Sequence, residues 1–129
     1  MKSRAGDWLK QAHEDLSWAR DSLTGSHWAA VCFTAQQIGE KCLKAIALAR
    51  GASEIRSHSL AKIAESLGID GDIAKIGRRL DAYYIATRYP DAFVEGAPFE
   101  YFDEDQAREA LLFAERLVAR ASEEIEADG

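Results

Sequence analysis

Residues 27–50 restrict the fold more than any other part of this chain. At about 100° per residue, Trp28, Val31, Cys32, Ala35, Ile38, Gly39, Cys42, Leu43, Ala45 and Ile46 share one wide apolar arc. Gln36, Gln37, Glu40, Lys41 and Lys44 fill a separate, narrower arc. An apolar face this broad belongs to a helix packed on several sides, which places its polar stripe in a groove. Several arc residues are Ala, Gly or Cys, so a neighbouring helix can approach closely. Gly51 ends the pattern.

The remaining segments repeat helical spacing. Residues 7–23 carry Trp8, Leu9, Ala12, Leu16, Ala19 and Leu23, with Gly25 as a stop and Ser26 as a cap for the next helix. Ser57 is a cap for a short helix over 58–67, which Gly68 closes. Ile73, Ile76, Leu80, Tyr83, Tyr84 and Thr87 predict a helix over 71–87, halted before Pro90 because the residue preceding a proline avoids helical geometry. Residues 90–102 form the longest loop. Asp103 and Gln106 have capping-box spacing, opening a last helix along Ala107, Ala110, Leu111, Ala114, Leu117, Val118, Ala121 and Ile125. No segment alternates as a strand does. The expectation is an all-α chain: an antiparallel, up-and-down four-helix bundle with one additional short helix.

Length limits the organisation to one domain, residues 1–129. The longest apolar run, Ala45 to Ala49, falls far short of the roughly 20 residues of a membrane span. The first ten residues lack the apolar core of a signal peptide, so the expected location is the cytoplasm. Cys32 and Cys42 lie on one helix about 15 Å apart, too far to form a disulfide with each other. They read as buried thiols. The charge is lopsided: residues 91–129 alone carry a net −9, within a chain total of −6. Extended nucleic acid is therefore an unfavourable ligand, and any phosphate would have to meet a local cationic cluster.

Three places offer such chemistry. Glu40 and Lys44 are spaced i, i+4 on the polar stripe of the second helix. The segment Tyr83-Tyr84-Ile85-Ala86-Thr87-Arg88-Tyr89-Pro90-Asp91 sets an arginine at a helix end among three tyrosines. That arginine could fork onto a phosphate while a ring stacks on a base, or simply answer the helix dipole. His58, in the first turn of the short helix, could contact an anion or move a proton, or only cap and pack. A Gly-rich phosphate loop, a nucleophile elbow and metal-type histidine spacing do not occur, so no catalytic residue, metal or cofactor is assigned.

The run Gln36-Gln37-x-x-Glu40-Lys41-x-Leu43-Lys44-Ala45, then His58-x-Leu60, Arg88-Tyr89-Pro90-Asp91, and the Pro98 to Tyr101 region resemble the HEPN family of small helical domains. The start Asp15-Leu16-x-x-Ala19 is also similar, and the resemblance spans roughly residues 5–125. It implies a five-helix antiparallel bundle that dimerises. It also implies nucleotide binding and pairing with a minimal nucleotidyltransferase, often as toxin and antitoxin. Some members are metal-independent ribonucleases carrying a His shortly after an Arg. This chain departs from that motif, because Tyr89 follows Arg88 and no His lies beyond His58. The combined expectation is a non-catalytic module, binding a nucleotide or its nucleotidyltransferase partner through Gln37, Glu40, Lys41, Lys44, His58, Tyr84, Arg88, Tyr89 and Asp91. Lys41 and Lys44 would meet phosphates, Arg88 would clamp one, and a tyrosine would stack. The alternatives are a ribonuclease toxin using Arg88 with His58, or a plain dimerisation module.

Overall fold

The computed structural model describes residues 3–127, and all of its regular structure is helical. Helices α1 (Ala5–Thr24), α2 (Trp28–Ala49) and α6 (Glu104–Ala127) are long. Between α2 and α6 lie α3 (Leu60–Ser66), α4 (Asp72–Asp81), the single turn α5 (Tyr83–Ala86) and two 3-10 turns, Pro90–Ala92 and Pro98–Tyr101. None of the described helices is long and apolar enough to cross a membrane.

The wide apolar arc makes α2 the centre of the molecule. Val31, Cys32, Ala35, Ile38, Cys42, Leu43, Ala45 and Ile46 are all fully buried, against Leu9, Ala12, Leu16 and Ala19 of α1 and Ala107, Ala110, Ala114, Leu117 and Ala121 of α6. Each large side chain so buried contributes on the order of 1.5–3 kcal/mol. Gly39 shows why the arc is rich in small residues. A Cβ there would stand 2.6 Å from Leu60 Cδ1 and 2.9 Å from Leu117 Cδ1.

Side-chain ties give the helix directions. Lys41 pairs with Asp15 while the Lys44 ammonium lies over the Trp8 ring, so α2 runs back along α1. Arg20 meets Glu115 at 2.8 Å and His13 meets Ser122 at 3.5 Å, so α6 is also antiparallel to α1. Arg79–Glu109 and Arg116–Asp72, at 3.0 and 2.9 Å, set α4 antiparallel to α6.

Three boundaries differ from the sequence expectation. Ser26 does not cap α2; it takes a left-handed φ of 63°, and His27 holds the N-cap position without a side-chain bond. The reversal needs a left-handed residue there: the Ser26 N–H donates to the Leu23 carbonyl and the His27 N–H to the Ser22 carbonyl, the paired bonds of a Schellman turn. The short helix starts two residues late, with Ser59 as N-cap accepting from the Lys62 N–H, while Ser57 Oγ accepts only from the Ser59 N–H. The helix expected over 71–87 breaks at Ala82 and ends at Ala86. The last helix begins as expected: Asp103 and Gln106 exchange both capping-box bonds at 2.9 Å.

Candidate functional site

The polar stripe of α2 forms the floor of the site, and tertiary contacts lock the segment above it. Gln36 is fully buried, and its Nε2 donates to the His58 carbonyl at 3.0 Å. Gln37 Nε2 donates to Gln36 Oε1 at 2.7 Å. From the end of α4, the Asp81 carboxylate accepts from Ser59 Oγ at 2.9 Å and from the Leu60 and Ala61 N–H groups at 2.8 and 3.0 Å. Asp81 thus satisfies donors that a helix start leaves open. It also fixes His58 just before α3 rather than inside it.

His58 is thereby aimed at α2. Its Nδ1 lies 3.0 Å from Glu40 Oε1, and the other Glu40 oxygen accepts from Lys44 Nζ at 3.0 Å. The Glu40 and Lys44 side chains are only 10% and 11% exposed. Stripping either partner from a pair so buried leaves an uncompensated charge, at a cost of about 3–5 kcal/mol. A carboxylate only accepts, so Nδ1 carries a hydrogen and Nε2 is left on the exposed side of the ring.

The His58 ring stacks on Tyr84 with centroids 5.6 Å apart and planes at 17°. Arg88 occupies the next position along. Its Nε and Nη2 donate to the Tyr84 carbonyl at 3.0 and 2.7 Å, a C-terminal cap for α5. Its Cζ lies 4.5, 4.7 and 5.1 Å from the ring centres of Phe33, Tyr84 and Tyr89. Arg88 is exposed and has no carboxylate partner among the described residues. Beyond it opens a cleft of about 640 Å³, lined chiefly by Trp28, Ala30, Phe33, Thr87, Arg88 and Phe99.

Six of the nine residues named from the sequence form one connected series: Lys44, Glu40, His58, Tyr84, Arg88 and Tyr89. Gln37 joins it through Gln36. Lys41 turns towards α1 and pairs with Asp15. Asp91 stands exposed on the Pro90–Ala92 turn, and the described hydrogen bonds and ion pairs do not include its side chain. Sequence reasoning missed Asp15, Asp81, Phe33 and Trp8 as members of this site. Asp15 had a visible signal, a charge set in register with Ala12, Leu16 and Ala19 on the buried side of α1. Asp81 had none, because its partners are 20 to 22 residues away.

A buried central helix, a locked histidine over its polar stripe and an arginine among rings define a small all-helical module. The HEPN domain model matches residues 5–125, and the chain belongs to that family. It is similar to TT1696 from Thermus thermophilus, at 37% identity and a TM-score of 0.89, covering 95% of this chain and 99% of that one. It is also similar to ST0689, an archaeal HEPN homologue, at 36% identity and a TM-score of 0.83, covering 97% and 99% of the two chains. No curated protein matches the sequence.

Proposed function

We propose that this HEPN domain is a non-catalytic module that binds a nucleotide and serves as the partner of a minimal nucleotidyltransferase in a two-component, toxin–antitoxin-like system. In this reading the domain is an up-and-down bundle that works as a two-fold homodimer in the cytoplasm. The observation that carries nucleotide binding is Arg88. Lys41 and Lys44 are each held by a carboxylate, Asp15 and Glu40, so the phosphate load falls on Arg88. One edge of its guanidinium is anchored on the Tyr84 carbonyl, which leaves Nη1 and the second Nη2 hydrogen for an oxyanion. The surrounding rings orient that edge, so little side-chain entropy is lost on binding.

The test is titration of nucleoside mono- and triphosphates, alongside a metal-free RNA cleavage assay, on the wild type, Arg88→Lys and His58→Ala. Arg88→Lys keeps the charge but loses the fork, and should weaken binding by about 1–3 kcal/mol. His58→Ala should leave affinity close to wild type. RNA cleavage by the wild type that disappears in His58→Ala would overturn the non-catalytic reading in favour of a ribonuclease, with the Glu40-held imidazole as its acid–base group. Absent nucleotide binding, with Arg88→Lys silent, leaves partner binding or dimerisation as the role.

A further inference from the structure

We propose that the cleft at the start of α2, on the far side of Arg88 from His58, seats the base of a free nucleoside monophosphate whose phosphate lies on Arg88. The inference rests on the nucleotide-binding reading above and places the ligand outside the α2 stripe. Its volume of about 640 Å³ is within the usual range of small-molecule sites, roughly 300–1,000 Å³. Four rings border it from two distant parts of the chain: His27 at the N-cap of α2, Trp28 and Phe33 on α2, and Phe99 on the Pro98–Tyr101 turn. Ala29 and Ala30 leave room between them.

The charge of the lining is the discriminating feature. The cleft along α4 mixes Arg78 and Arg79 with Asp72 and Glu109, and the clefts beside Trp8 mix Arg4 with Asp7 or Glu54. No carboxylate lines the Arg88 cleft. Aromatic faces with one unneutralised guanidinium at the rim suit a flat apolar body carrying an anion.

The walls are also preorganised. Phe93 and Tyr101 stack at 3.9 Å and 11°, the Ala97 N–H donates to Glu100 Oε1 at 2.9 Å, and Tyr101 hydrogen-bonds the Glu95 carbonyl. The loop so braced holds Phe99 at 72% exposure, a large ring left to solvent at the mouth of the cleft. The loop also carries Asp91, Glu95 and Glu100, within the segment of net charge −9. That field opposes a long polyanion and favours a free mononucleotide over the end of an RNA chain.

The experiment is calorimetric titration of AMP, and separately of a short single-stranded RNA, into the wild type, Ala30→Leu, Phe99→Ala and Arg88→Lys. Ala30 and Phe99 are both exposed, so neither substitution disturbs the core. Ala30→Leu fills the cleft and Phe99→Ala removes a stacking face, and each should weaken AMP by roughly tenfold or more. AMP binding that depends on Arg88 yet ignores both cleft variants would place the base elsewhere, on Tyr84, and sink this inference while the nucleotide reading stands. Tighter binding of the RNA than of AMP, sensitive to Ala30→Leu, would assign the cleft to an RNA end and overturn the free-nucleotide proposal. If AMP does not bind at all, this inference falls, and the nucleotide reading falls with it only if the triphosphates also fail to bind; a simultaneous shift of the monomer–dimer equilibrium by Ala30→Leu would then make the cleft a contact with a second copy.

Discussion

Ser26 carries the one left-handed backbone among the described non-glycine residues, at φ 63°. The sequence offers Gly25 beside it, but Gly25 takes an ordinary φ of −82° as the C-cap of α1. The strained position therefore falls one residue later than the glycine that marks the turn. A side chain there costs about 1–2 kcal/mol, and the larger unfolded-state entropy of glycine returns part of this. Ser26→Gly should stabilise the fold by about 0.5–1 kcal/mol, read as a higher urea midpoint at unchanged slope. A lower midpoint would mean that the Ser26 side chain contributes something beyond turn geometry. The same scale explains Arg88. Its capping of Tyr84 and its unneutralised charge are two uses of one guanidinium, and spacing alone left the two open.

At the scale of elements, α2 was the most legible part of the molecule. Its apolar arc predicted a central helix, and the arc residues from Val31 to Ile46 are all buried. Cys32 and Cys42 are fully buried free thiols, as their shared helix requires. Burial pushes both up to about 12, helped at Cys32 by Asp103 and Glu109. The unfolded thiols ionise near 9.0, so their stabilising contribution is complete below that pH. It is lost as pH rises towards 12, at a slope of roughly 1.4 kcal/mol per pH unit for each thiol. Urea midpoints at increasing alkaline pH should therefore fall more steeply for the wild type than for a Cys32→Ala/Cys42→Ala variant. Parallel curves would contradict the buried placement. The start of α3 was less legible. The sequence reading took Ser57 as the cap, and Asp81, reaching across from α4 to the Ser59 hydroxyl and the Leu60 and Ala61 N–H groups, moves the start two residues on to Ser59.

At the scale of the whole molecule, the surface keeps large apolar groups in water: Trp18 at 61%, Leu112 at 65%, Phe99 at 72% and Val94 at 104% exposure. Exposed rings and aliphatics of this size are the usual material of protein contacts. The proposed two-fold dimer should appear in light scattering as twice 14.2 kDa at tens of micromolar. A mass of 14.2 kDa throughout that range would remove the dimer. The imbalance of charge belongs to this scale too: Asp103 caps α6 and Glu100 braces the loop before it, but the net −9 of residues 91–129 is a property of the whole segment.

Periodicity, glycine stops and the Asp103–Gln106 box are local, and local patterns were enough to settle that the chain is helical, that α2 lies at its centre and where α6 begins. Most residues of the connected series were also in view, but the polar stripe on the wide apolar arc does not face the expected opening: Gln36, Glu40 and Lys44 are buried under the segment that carries His58 and against Trp8. What joins the series was not in view. The link from Glu40 to His58, the stack of His58 on Tyr84 and the cover of Arg88 by Phe33 connect residues 18, 26 and 55 positions apart. Such contacts exist only once α3, α5 and the intervening loops are docked on α2. Tertiary structure likewise decided that Lys41 is neutralised and Arg88 is not: ion pairing depends on which acids the packing brings within reach, and Asp15 arrives from another helix, whereas the Glu40–Lys44 pair, one turn apart on α2, was readable from spacing.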